Sequence, residues 1–186
     1  MIQSKITEVK NIKNRYNKYN KRTKIQGYDK GGSSMYDNFL IRKDSLKNDV
    51  DENGNVIGFQ FAARNANYRG VYLSLHNGYY IKVDGVQYKR DVQTFEINGK
   101  APRTFEEIKT AVWEHWDYDD EGIVHVKKEG GLASGKHKID FQQSVLAAYG
   151  YLPTDEEWVK CPPEPGQGAG SDKTKNIVTY ELELQE

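Results

Sequence analysis

The chain has 186 residues and a mass of 21.4 kDa, with 27 Lys and Arg against 27 Asp and Glu, 37% hydrophobic and 12% aromatic residues. That length fits one domain with appended tails, and the ring content, 13 Tyr included, excludes a chain that is a solvated coil throughout. A single cysteine, Cys161, excludes an internal disulfide framework and a multi-cysteine zinc site.

The N-terminal residues are charged and contain no apolar core of the signal-peptide kind. The longest uncharged run, Phe141 to Thr154, is 14 residues long, too short and polar for a membrane helix of roughly 18 or more apolar residues. A cytoplasmic protein without a membrane partner is therefore expected. The zero net charge hides an asymmetry. Residues 1–34 hold nine Lys and Arg and two acids, a net of +7, and the other 152 residues hold 18 bases and 25 acids, a net of −7. The segment ends in Gly31-Gly32-Ser33-Ser34, a linker composition. Three readings fit it: a nucleic-acid-binding arm, an extension that folds back on the acidic body, or an upstream extension with the domain starting near Met35. The first is the least favoured, and no nucleic-acid partner is expected. The organisation predicted is a disordered or extended basic extension over 1–34 and a β-sandwich domain over 35–186.

From Met35 onward the pattern is that of strands. Asn38–Arg42 is a short run around Phe39, Leu40 and Ile41, followed by the turn Asp51-Glu52-Asn53-Gly54. The next segment alternates with Ile57, Phe59, Phe61 and Ala63 on one face and Val56, Gly58, Gln60 and Ala62 on the other, the period of a half-buried strand. Val71, Leu73 and Leu75 alternate with Tyr72, Ser74 and His76. Ile81 and Val83 lead through Asp84-Gly85 to Val86 and Tyr88, a tight hairpin, and Asn98-Gly99 marks another turn after Phe95 and Ile97. Thr104-Phe105-Glu106-Glu107 has the capping-box spacing, so a helix is predicted from there to about Trp113, burying Phe105, Ile108 and Val112. Ile123, Val124 and Val126 precede Gly130-Gly131. Ile139, Phe141 and Val145 fall in a strand within 136–149, Pro162 to Ser171 reads as a loop, and Ile177 to Leu184 closes the chain as a strand. Many short strands, one short helix and no strand–helix alternation predict an all-β fold, an antiparallel, jelly-roll-like β-sandwich, with a barrel as the alternative.

The chemistry-bearing residues are sparse. No phosphate-loop, dinucleotide, serine-elbow or HExxH motif occurs. None of His76, His115, His125 and His137 is spaced as a metal pair. His125 and His137 flank the Gly130-Gly131 turn and would approach each other on neighbouring strands, though without an identifiable third ligand. Cys161 beside Pro162 has no evident base nearby and reads as an incidental thiol. Trp113 and Trp116, with Asp117, Tyr118, Asp119 and Asp120, form either a sugar-stacking platform or a helix end packing its rings into the core. Asp117 and Asp119 are too close in one loop for the two carboxyls of a glycoside hydrolase, which flank a cleft. Asn67-Tyr68-Arg69-Gly70 reads either as a recognition loop or as a strand corner with a surface ion pair. Gly130 to His137 reads as a docking element or a flexible hairpin.

Gly58-Phe59-Gln60-Phe61-Ala62-Ala63-Arg64, Tyr68-Arg69-Gly70-Val71-Tyr72-Leu73-Ser74-Leu75 and Val83-Asp84-Gly85, with Gly130-Gly131-Leu132 and Gly135-Lys136-His137, together resemble the small β subunit of bacterial C-glycoside deglycosidases. The resemblance covers about Met35 to Glu186. It implies a β-sandwich that pairs with a larger TIM-barrel α subunit in a higher hetero-oligomer. That complex would cleave the carbon–carbon bond between a 3-oxo sugar and an aromatic, flavonoid-type aglycone. The α subunit would supply the histidine base and a divalent metal, usually manganese, so neither catalytic residues nor a cofactor are expected on this chain. Tyr68, Arg69, Leu132 and His137 would line or close the mouth of the partner's barrel, or lie at the subunit interface. A stand-alone carbohydrate-binding module built on Trp113 and Trp116 is the alternative.

Overall fold

In the computed structural model of the chain, residues 39–65, 69–145 and 177–185 are described. The strands are β1 (Lys47–Val50), β2 (Val56–Arg64), β3 (Val71–Tyr72), β4 (His76–Val83), β5 (Val86–Tyr88), β6 (Gln93–Glu96), β7 (His115–Trp116), β8 (Glu121–Lys127), β9 (Lys136–Val145) and β10 (Val178–Glu183). The one α-helix among the described residues, α1, is the single turn Phe105–Ile108. The strands form two four-stranded sheets, ordered β1-β2-β8-β6 and β10-β9-β4-β5, and a two-stranded β3-β7 pair. All of these ladders are antiparallel. This is the all-β sandwich that the strand pattern predicts.

Alternation decides which side chains enter the core. Phe59, Phe61 and Ala63 of β2, Val124 and Val126 of β8, and Phe95 of β6 are buried on one sheet. Ile81 and Val83 of β4, Ile139 and Phe141 of β9, and Tyr180 and Leu182 of β10 are buried on the other. Phe61 and Phe141 meet across the gap, edge to face, with centroids 5.8 Å apart. Ile57, expected on the buried face, is the second residue of β2 and is 48% exposed.

The turn signals are realised. Asp84 and Gly85 adopt φ of 49° and 88° between β4 and β5, and Asn98 and Gly99 adopt 59° and 67° after Ile97. The Asp51 carboxylate accepts from the backbone N–H groups of Asn53 and Asn55, closing the turn before β2. Asn38–Arg42 contributes no named strand among its described residues. Leu40 and Arg42 instead exchange backbone hydrogen bonds with Arg64 and Ala62. The strand expected through Leu75 stops at Tyr72, because Leu73–Leu75 winds into a 3-10 turn before β4.

The helix is the largest departure. Its capping box forms: the Glu107 N–H donates to the Thr104 hydroxyl and the Glu107 carboxylate accepts from the Thr104 N–H. It ends after one turn. Thr110 N–H donates to Glu107 O and Ala111 N–H to Ile108 O, the tighter spacing of a terminating helix. Beyond it, the Glu114 carbonyl accepts from the Leu73 N–H, drawing the chain into β7. Val112 and Trp113 are consequently 52% and 90% exposed, not buried. Residues 1–34, Cys161, the Pro162 to Ser171 loop and the 146–149 end of the expected strand lie outside the described residues. No helix of the described residues is long and apolar enough to cross a membrane.

His76 occupies the end of the core nearest α1. Its ring centroid lies 4.7 Å from Tyr79, 5.1 Å from Phe95, 5.0 Å from Phe105 and 5.1 Å from Trp116. Both ring nitrogens are buried with no hydrogen-bond partner among the described residues. Burial pushes the imidazole pKa down to about 3. An unfolded chain takes up that proton near pH 6.5, so between these values the unfolded state binds more protons and stability falls as pH falls. Urea unfolding is expected to lose about 2 kcal/mol between pH 6.5 and pH 5 through this residue, above the carboxylate titrations. In a His76→Phe variant that slope should vanish, and an unchanged slope would remove His76 as its source.

Candidate functional site

On the outer face of the first sheet, the alternation that buries Val124 and Val126 turns Ile123 and His125 outward. His125 Nδ1 lies 2.6 Å from Asp49 Oδ2 on β1, and its Nε2 lies 3.1 Å from Glu96 Oε2 on β6. Gly58, opposite Asp49 in the β1-β2 register, places no side chain in that path. His125, Asp49, Glu96 and Ile123 line a groove of about 400 Å3, to which Lys47, Gln60 and Arg42 also contribute. Both imidazole nitrogens are occupied, so His125 is not poised as a general base. The two carboxylates approach it from opposite sides and do not converge on a common point. Among the described residues no group of three or more His, Cys, Asp or Glu is arranged to hold a metal ion. The amine, amide and carboxylate groups of the groove suit hydrogen bonding to a hydroxyl-rich ligand. Only an outward histidine on an alternating strand marked this site in the sequence. Its carboxylate partners, at separations of 76 and 29 residues, did not.

The expectation that His125 and His137 approach each other on neighbouring strands fails, because the chain crosses between sheets after β8. His137 belongs to a different cluster. Its Nδ1 lies 2.6 Å from Asp84 Oδ2 and its Nε2 lies 2.8 Å from the Ala133 carbonyl oxygen. The second Asp84 oxygen accepts from the Lys138 N–H at 2.9 Å. Burial alone would lower the His137 pKa, but the Asp84 carboxylate and the Ala133 carbonyl outweigh it and raise it. The hydrogen bond from His137 holds the Asp84 carboxyl below its ordinary range. Leu132 is buried, and its N–H and carbonyl bond to the Asn48 side chain at 2.8 and 3.0 Å. The Gly130–His137 connection is thus sewn to β1 and to the β4-β5 turn.

The other predicted loop ends β2. Tyr68 lies outside the described residues, and Arg69 is exposed. Gly70 has φ of 69°, and a Cβ there would lie 2.5 Å from the His115 ring and 2.6 Å from the Trp116 carbonyl oxygen, so the loop packs directly on β7. Tyr72 stands edge-on to His115 with centroids 5.3 Å apart, and His115 Nδ1 lies 2.7 Å from Asp117. Trp116 is fully buried, its indole N–H donating to Asp120 O at 3.0 Å. Trp113 and Trp116 therefore form no joint stacking platform. One ring is in the core and the other in solvent.

These loops sit at opposite ends of the sandwich. β2 runs from Val56, whose carbonyl accepts from Gly130 N–H, to Arg64, paired with Glu121. Nine extended residues separate the ends by roughly 27 Å. Arg69 therefore cannot share one opening with Leu132 and His137.

Residues 36–149 match the family model described as the C-glycoside deglycosidase beta subunit. Over 110 residues the chain is 32% identical to the C-glycoside deglycosidase beta subunit of Eubacterium cellulosolvens, covering 59% of this chain and 74% of that relative.

The Asp84–His137 pair gives a pH signature. His137, with its pKa raised, stabilises fully below pH 6.5 and loses that contribution as pH rises through the raised value. Asp84, with its pKa lowered, stabilises above pH 3.8 and loses it as pH falls through the lowered value. Their joint contribution is therefore largest between these limits. His137→Ala is expected to cost about 1–3 kcal/mol in urea unfolding at pH 6. The cost should shrink by pH 9, and a cost independent of pH would dismiss the charged pair.

Proposed function

The chain belongs to the C-glycoside deglycosidase beta subunit family, and on that premise we propose that it is the accessory subunit of a heteromeric carbon–carbon lyase. The substrate is a 3-oxo sugar joined through carbon to an aromatic aglycone of flavonoid type. The 3-keto group acidifies the C2–H of the sugar. Loss of that proton lets the bond between C1 and the aryl carbon break, and the aryl carbon takes up a proton as the aglycone departs. The described residues of this chain do not fit a catalytic metal. His76 is sealed among aromatic rings, both nitrogens of His125 and of His137 are committed, and no three metal-binding side chains converge. We place the divalent metal and the base on a larger TIM-barrel α subunit, as the family resemblance implies, in a cytoplasmic hetero-oligomer.

This chain's own part is to stabilise that partner and to close its opening, excluding water from the reacting ketone. Because the two loops lie at opposite ends, one of them faces the opening. The exposed Arg69 loop, with Tyr68 beside it, is the better candidate, since Leu132 and His137 turn inward. The family match over residues 36–149 is the observation that carries this proposal. A hydroxyl-binding role for the His125 groove is a second reading, favoured by its mixed polar lining. Calorimetry of the isolated chain with free glycosides tests it, and absence of heat with any of them would remove it.

The α subunit assayed alone on a 3-oxo C-glycoside is expected to lose at least about tenfold in rate against the reconstituted complex, a barrier change of about 1.4 kcal/mol. Full activity of the α subunit alone would overturn the proposal. Arg69→Ala is expected to lower the rate of the assembled complex without dissociating it. An unchanged rate would take Arg69 out of the opening.

A further inference from the structure

Trp113 exposes 90% of its surface, whereas the other exposed large apolar residues among those described range from 41% to 57%. Two of these, Val112 and Tyr72, belong to the same end of the fold. Tyr72 pairs with His115 in the β3-β7 register, and Leu73 N–H bonds to Glu114 O, so Trp113 directly follows this ladder in space. An indole held in water forgoes the burial of about 150–250 Å2 of ring surface.

The backbone on either side of it is firmly tied. The Glu114 carboxylate meets the Arg103 guanidinium bidentately at 2.8 and 3.0 Å and Lys100 at 2.6 Å. That pairing, Arg103 first, holds the Glu114 pKa at about 2. Glu114 N–H reaches back to Ala111 O, and the Asn98 amide donates to the His115 carbonyl. The indole between these ties is bare. A rigidly presented aromatic has little conformational entropy to lose on docking, which is the character of an interface anchor. Exposed Asp117, Asp119 and Asp120 edge the same end, and Arg69 stands on the loop packed against β7.

We propose that Trp113, flanked by Val112 and Tyr72, is the anchor by which this chain docks onto its α subunit, entering an apolar pocket whose edge is basic. This rests on the subunit reading above and adds where the partner binds. A family of β subunits requires a companion chain, and the complementary charge on that companion faces the three aspartates. The same docking places the Arg69 loop at the companion's surface.

The test uses the complex of this chain with its α subunit. Trp113→Ser should unfold at the wild-type temperature, since the side chain is outside the core, while its dissociation constant for the α subunit rises by about 30-fold or more. Val86→Ser, on the β4-β5 hairpin, should bind as the wild type does. Iodide should quench a fluorescence component that is missing in Trp113→Phe, and the α subunit should shield that component. Affinity unchanged in Trp113→Ser, or a component equally quenched in the complex, would overturn the inference and leave the subunit reading standing. Failure of the wild-type chain to bind the α subunit would overturn both. Self-association of the wild type that Trp113→Ser abolishes would name a second copy as the occupant and overturn the inference as well.

Discussion

The structure depends on one aromatic seam. Trp116 and His76 pack with Tyr79, Phe95 and Phe105, and those five rings come from β7, β4, β6 and α1. Short elements that could not stand alone are held there: a two-residue strand and a single helical turn. Their stability comes from burial, because one turn of helix and one pair of residues have too few hydrogen bonds to persist in water. An imidazole with no hydrogen-bond partner among the described residues is a cost the seam carries, and it makes this end of the core sensitive to acid.

The same seam separates the two tryptophans. Once Trp116 enters the core and Glu114 is clamped by Arg103 and Lys100, Trp113, three residues before Trp116, is left outside. The bare indole of Trp113 follows from that geometry and needs no local strain. The chain thus offers an adhesive end and a sewn end. At the sewn end, Leu132 and His137 close the domain through Asn48 and Asp84. Polar groups that looked like docking elements there are spent on internal hydrogen bonds.

Histidine has a different task at each position, set by what surrounds it. His76 is packed as a ring. His137 is a strut against a carboxylate. His125 bridges two carboxylates on an outer sheet face beside a polar groove. None of these three histidines is an open ligand.

Strand alternation through Phe59, Phe61 and Ala63, the Asp84-Gly85 and Asn98-Gly99 turns, and the Thr104–Glu107 capping box were legible in the sequence, because each is a property of neighbours along the chain. So was the family, through motifs spread from Gly58 to His137. The length of the helix was not, because the pull of Leu73 and Arg103 on Glu114 comes from distant residues. Neither were the opposite fates of Trp113 and Trp116, the separation of His125 from His137 into two sheets, or the distance between the Arg69 and Leu132 loops. The sequence alone determined which segments are strands and where they turn, since side-chain period and turn chemistry are local. Only the tertiary structure decided which rings are buried, which histidines meet carboxylates and which end is left exposed. Those outcomes depend on contacts between residues far apart in the chain, and no local pattern records them.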